Sequence, residues 1–157
     1  MTEMVPTRLD RVRDHTARKV NQQIDAKIAD NIRLYSTQTD EMITRRIADL
    51  ETEWDMERIL EVNASTLAFI GTMLGAFVNP WFLVIPVFVT AFLFLHGTQG
   101  WCPPVPMFRR MGKRTRSEID AEKFAMKALR GDFEGLAFRA DRGVLADRVI
   151  EAISRQG

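Results

Sequence analysis

The sequence predicts an all-α integral membrane protein, with a hairpin of two transmembrane helices and amphipathic cytoplasmic helices on both sides. Two observations support this prediction. All 43 charged residues lie outside the 47 positions from Val62 to Phe108, and a soluble domain rarely keeps so long a stretch uncharged. Asn79-Pro80 interrupts this stretch, and proline cannot continue a helical hydrogen-bond ladder. Two helices are therefore expected instead of one.

The two apolar segments, Leu60–Val78 and Trp81–Thr98, have about the 20 residues that a helix needs to cross a bilayer core. Phe and Leu occupy every face of the second segment, which argues against the alternative, a buried hairpin of a soluble protein. A signal peptide is not expected, because the apolar run begins about sixty residues into the chain. The predicted division is an N-terminal arm (1–55), the hairpin region (56–112) and a C-terminal arm (113–157).

Tryptophans and basic residues predict the orientation. Trp54, Trp81 and Trp101 fall at the ends of the spans, where indole rings meet both lipid and water. The turn of the hairpin has no basic residue, whereas five follow the second span. Because basic residues stay on the cytoplasmic side, both ends of the chain are expected on the cytoplasmic side of the membrane. The five bases are Arg109, Arg110, Lys113, Arg114 and Arg116.

The N-terminal arm has the apolar spacing of two amphipathic helices separated by the polar run 36–40. The second helix could continue directly into the first span. Such narrow stripes suit packing against one partner helix, so a partner protein or a second copy of the chain is expected to bind there. The first stripe is Leu9, Val12, Val20, Ile24, Ile28, Ile32 and Tyr35, and the second is Ile43, Ile47, Leu50 and Trp54.

The C-terminal arm begins with a turn forced by three prolines between 103 and 106. Thr115 or Ser117 is then expected to cap a helix that ends near Arg130, before Gly131. The segment 132–138 is ambiguous. A last amphipathic helix is predicted from Val144, Leu145, Val149, Ile150 and Ile153.

The arms have opposite charge. Residues 1–61 hold 10 basic and 13 acidic side chains, and residues 109–157 hold 12 and 8. The five bases after the second span are therefore expected to bind anionic lipid. Two alternatives are that Arg109 and Arg110 pair with Glu57 and Glu61 of an acidic stripe that recurs every four residues, and that both charged groups are simply solvated. A net charge of +1 excludes a strongly basic nucleic-acid binder, so no nucleic-acid partner is expected.

Cys102 is the only catalytic candidate. Nearby arginines would favour its thiolate, as in a thiol or persulfide relay, and the alternative is a packed, unreactive thiol. His96 is the only other ligand-type side chain near Cys102, and His15 and His96 stand near none of the acids of the stripe. Neither a metal site nor a cofactor is expected.

Gly71 and Gly75 have the spacing that allows two helices in lipid to approach closely, and Ala68 extends the same side. Packing against the second span is favoured over homodimerisation. A small channel lined by Ser65 and Thr72 is a further alternative, but no span holds the charged residue that an ion pathway usually needs.

Part of the hairpin region resembles a known family. The segments that carry the resemblance are Met56–Leu60, Asn79-Pro80-Trp81 and Gly100-Trp101-Cys102-Pro103, the last followed by 107–112. The family that they resemble is the YgaP-like inner-membrane domain family. The resemblance covers about Trp54 to Gly112. It implies a helical hairpin in a bacterial inner membrane that can dimerise. In some members it also implies an association with sulfurtransferase domains, which this chain lacks. The leading prediction is a non-catalytic membrane anchor or scaffold whose cytoplasmic helices bind a partner or self-associate, with the Cys102 relay and the channel as alternatives.

Overall fold

The computed structural model describes residues 10–134; Leu9 and the predicted last helix lie outside them. Every regular element in this part of the chain is helical, as predicted. The elements are α1 (Arg11–Asp14), α2 (Arg18–Tyr35), α3 (Asp40–Thr52), α4 (Met56–Phe77), a 3-10 helix (Pro80–Leu83), α5 (Val84–Gln99), α6 (Val105–Arg110) and α7 (Arg116–Leu129).

Helices α4 and α5 pack against each other as a hairpin, and both lie in segments long and apolar enough to cross a membrane. The predicted break is where the structure turns. Asn79 caps the 3-10 helix by accepting a hydrogen bond from the backbone N–H of Trp81 at 2.9 Å, and Pro80 takes its first position. No residue of α5 is buried by the rest of the described chain.

The second amphipathic helix does not run directly into the hairpin. Glu53 is extended, and Asp55 starts a new helix by accepting the Arg58 backbone N–H at 2.8 Å. A capping carboxylate satisfies a free N–H of the first turn, which makes a restart at this position favourable. Trp54 lies in the break and is exposed, so it does not continue the apolar stripe of α3.

The remaining helices form what we call the head, at the open end of the hairpin. In the head, α7 packs on α3 and α2. Thr115 and Glu118 form the expected capping box of α7, and Gly131 follows its end with a φ of +85°. The head core consists of Ile43, Ile47, Leu50, Ile119 and Met126, with Ile32 and Tyr35 against it.

A second apolar cluster joins the head to the hairpin, and Gly100 fixes one side of this junction. Gly100 ends α5 at a φ of +78°, and a Cβ there would lie 2.5 Å from Cβ of Arg11. Only glycine combines this conformation with so close an approach. The junction cluster consists of Val12, Met56, Leu60, Cys102 and Val105, with Phe92 and Phe108 against it.

Candidate functional site

A buried ion-pair network lies at the centre of the head. Arg13 donates to Asp25 at 2.8 and 3.0 Å and to Glu118 at 2.6 Å, and Arg109 holds both oxygens of Glu118 at 2.6 and 2.7 Å. Glu118 is 0% exposed and both arginines 1%. The network therefore connects α1 and α2 to α6 and α7.

Every N–H group of the Arg109 guanidinium has a hydrogen-bond partner. Its five N–H groups reach Glu118 twice, Thr16 at 3.2 Å, Asn21 at 2.8 Å and the carbonyl of Lys113 at 3.0 Å. A buried cation is tolerated only with such partners. Burial by itself would raise the pKa of Glu118, but Arg109, the Thr115 N–H and Arg13 outweigh it, so this pKa lies below its ordinary value.

Glu122, one turn further along α7, forms a second ion-pair node. It accepts from Arg114, from Arg46 at 2.6 and 3.0 Å and from Asn31 at 3.0 Å. Arg114 also binds Glu53. This node ties α2 and α3 to α7.

The five bases after the second span separate into two groups. Arg109 and Arg114 are buried within the head, whereas Arg110 and Lys113 are exposed, and Arg116 is half-exposed with Asp120 at 3.3 Å. The expected pairing of Arg109 with Glu57 or Glu61 is not present, because α6 directs this side chain to Glu118. The two arms do pair, but through other residues.

Cys102 lies in the junction cluster, not on an accessible surface. Burial among apolar side chains raises the pKa of its thiol, which disfavours the thiolate that a relay needs. The packed, unreactive thiol is the interpretation that this environment favours.

This burial gives a first testable prediction. Native protein at neutral pH should react with a small maleimide at least about tenfold more slowly at Cys102 than the denatured chain, because only opening of the junction exposes the thiol. Intact-mass measurement over time follows the reaction. The control is Thr37→Cys in a Cys102→Ser background, which places a thiol at an exposed position. Equal rates at 37 and 102 would contradict a closed junction.

The small-residue face of α4 is covered by the chain itself. A Cβ on Gly71 would lie 2.7 Å from Cδ of Pro86, and one on Gly75 would lie 2.5 Å from Cδ2 of Leu83. Ala68, on the same side, is half-buried. Close packing within the hairpin therefore occupies the face that a homodimer would need.

The three tryptophans lie at the two ends of the hairpin and all are exposed. Trp81, at the turn, is 77% exposed. At the open end the guanidinium of Arg58 lies 4.5 Å above the ring of Trp54, and Trp101 meets Phe92 edge-on. Each ring is thus free to meet the surroundings of the hairpin.

An open cleft of about 530 Å³ lies where the hairpin meets the head. Its wall includes Glu57 and Glu61 from α4 and His96 from α5. Within the described residues, Oε2 of Glu57 and Nδ1 of His96 are buried and have no hydrogen-bond partner. The acidic spacing was visible in the sequence, but nothing there placed His96 opposite it.

The described side chains that line the cleft do not form a set of metal ligands. Across residues 10–134, no three His, Cys, Asp or Glu side chains are placed to hold a metal ion. Its carboxylates and imidazole are suited instead to accepting hydrogen bonds from a cationic group.

Comparison with family models, curated proteins and solved structures gave no match. The resemblance to the YgaP-like family therefore stays a prediction from the three short segments that carry it.

Proposed function

We propose that this protein is a membrane-anchored scaffold: the hairpin crosses the bilayer, and the head binds a partner protein or a second copy of the chain. The lack of cover on the hairpin supports the anchor. No residue of α5 is fully buried, and large side chains such as Phe77, Phe88 and Phe94 are exposed. An apolar surface of this extent needs lipid or protein around it.

The charge distribution supports a head on the cytoplasmic side of the membrane, which the resemblance to the YgaP-like family would make a bacterial inner membrane. Arg110 and Lys113 are exposed at the open end of the hairpin, and the turn at the other end has no basic residue. Basic residues near spans remain on the cytoplasmic side. Met107 and Met111, both exposed beside these bases, suit contact with the membrane surface.

The observation that carries the scaffold is the buried network. Arg13 and Arg109, 96 positions apart, share Glu118, so the described parts of the two arms form one folded body. Such a body presents a surface of defined shape at a fixed place above the bilayer. Leu34, near the end of α2, and Met42, near the start of α3, are exposed and supply apolar contact area on the head.

Photo-crosslinking in native membranes tests this function. A photoreactive amino acid in place of Leu34 or Met42 should give a discrete protein product, twice the chain mass for self-association and another mass for a different partner. The same group at exposed Asp49 of α3 is the control and should give none. Glu118→Gln should abolish the product by loosening the head. Absence of a product at both positions, or identical products at 49, would contradict the scaffold.

The alternatives receive less support. The environment of Cys102 disfavours a thiolate relay. Channel-lining roles for Ser65 and Thr72 are disfavoured because each hydroxyl donates within its own helix, to the carbonyls of Val62 at 3.1 Å and Ala68 at 2.8 Å.

A further inference from the structure

The cleft between the hairpin and the head holds hydrogen-bonding groups that no part of the described chain uses. Four segments form it: the start of α1, the first two turns of α4, the end of α5 and the start of α7. If the hairpin crosses the bilayer as proposed above, this position is at the level of the lipid headgroups, because the spans end there.

Several of its polar side chains are already committed. Asp10 accepts from the backbone N–H groups of Val12 and Arg13 at 3.0 and 3.2 Å and from the hydroxyls of Thr115 and Ser117. Arg11 donates to the carbonyl of Gly97 at 2.6 Å. These groups shape the cleft, but they have little capacity left for a ligand.

The uncommitted groups are acceptors. Oε2 of Glu57 and Nδ1 of His96 are buried without partners, and Glu61 makes no hydrogen bond or ion pair within residues 10–134. Unpaired buried acceptors are costly, so a donor is expected to satisfy them. The cleft wall carries three carboxylates against two guanidinium groups, and this excess of negative charge favours a cation. The carboxylates are those of Asp10, Glu57 and Glu61, and the guanidinium groups are those of Arg11 and Arg116.

We propose that the cleft binds the primary ammonium group of an aminophospholipid. An ammonium carries three N–H donors and one positive charge, which match Glu57, Glu61 and His96, the imidazole accepting at Nδ1 when its proton is on Nε2. Leu93 and Gly97 give the same cleft an apolar wall for the start of the lipid chains. Arg116 lies in the wall of the cleft and is half-exposed, and it would exchange its surface pairing with Asp120, at 3.3 Å, for the lipid phosphate.

The test is native mass spectrometry of the full chain released from nanodiscs that contain equal amounts of phosphatidylethanolamine and phosphatidylcholine with the same acyl chains. The second headgroup is trimethylated and has no N–H to donate. We expect the ethanolamine lipid to be retained about tenfold more, because charge-assisted hydrogen bonds are lost with the methyl groups. The Glu57→Gln/Glu61→Gln variant should retain both lipids equally, and Asp49→Asn, exposed on α3, should keep the preference.

Two results would overturn this inference. One is equal retention of the two lipids by wild-type protein. The other is an unchanged preference for the ethanolamine lipid in the Glu57→Gln/Glu61→Gln variant, which would place the recognition outside the cleft. Neither result bears on the proposed scaffold function, because both measurements require only that the protein has entered the nanodisc. Failure of the folded chain to enter nanodiscs would instead contradict the membrane anchor itself.

Discussion

Replacing Glu118 by Gln should lower the free energy of unfolding of the head by about 3–5 kcal/mol, the usual cost of removing one partner from a buried ion pair. The loss is large because two cations depend on this carboxylate. Arg109 would keep its bonds to Thr16 and Asn21, but its charge would be uncompensated, and Arg13 would keep only Asp25.

The accessibility of Cys102 measures this effect, because the thiol lies where the head meets the hairpin. Thiol labelling across a urea series gives the stability of the junction in wild type and variant. The matched control is Asp30→Asn, which removes an ion pair with Arg33 whose side chains are 72% and 76% exposed. That pair should contribute under about 1 kcal/mol. Equal effects of the two substitutions would show that the Glu118 network does not stabilise the head.

We expect the Glu118 carboxylate also to make the head less stable in acid. The pKa of Glu118 is lower in the folded state than in the unfolded chain, so the folded protein binds the proton less readily. Its contribution is therefore complete above the unfolded pKa, about 4.3, and is lost as the pH falls through the lower folded pKa. Glu118→Gln should reduce this acid sensitivity, which urea unfolding followed by far-ultraviolet circular dichroism at pH 7 and at pH 3–4 compares directly.

The helices and their ends were predictable because local chemistry determines them. The proline after Asn79, the Thr115 capping box and the apolar spacing of α3 each act within a few residues. The restart of the helix at Asp55 was missed because continuous helix and a capped break are both compatible with the apolar stripe that precedes the hairpin.

The buried network was not predictable from the same rules. Glu118 and Glu122 share a helical face with Ile119 and Met126. From sequence alone, however, an acidic side chain is expected to be exposed unless a basic partner for it is known. Those partners come from distant segments, and Arg13 is 105 positions from Glu118. The cleft poses the same problem, since the position of His96 relative to α4 depends on how the two hairpin helices pack.

Replacing Gly71 and Gly75 together by Ile should separate α4 from α5, with a loss of stability of several kcal/mol. Even a single Cβ at Gly71 would lie under 3.0 Å from Pro86 and from Ile85. The proline ring cannot rotate away, and filling a well-packed contact with extra carbons costs about 1–3 kcal/mol per site. The gain in helix propensity on replacing glycine by isoleucine, about 0.5 kcal/mol per site, is too small to offset this.

A third glycine provides the control for this prediction. A Cβ on Gly97 would meet nothing within 4 Å, so Gly97→Ala should leave the thermal unfolding midpoint in detergent unchanged or higher. The double Ile variant should lower that midpoint and also lose the lipid preference of the cleft, because separating the helices moves His96 away from Glu57. An unchanged midpoint in the double variant would mean that α4 and α5 do not pack through this face. If the wild-type chain is a dimer that dissociates on this substitution, the face binds a second copy of the chain instead.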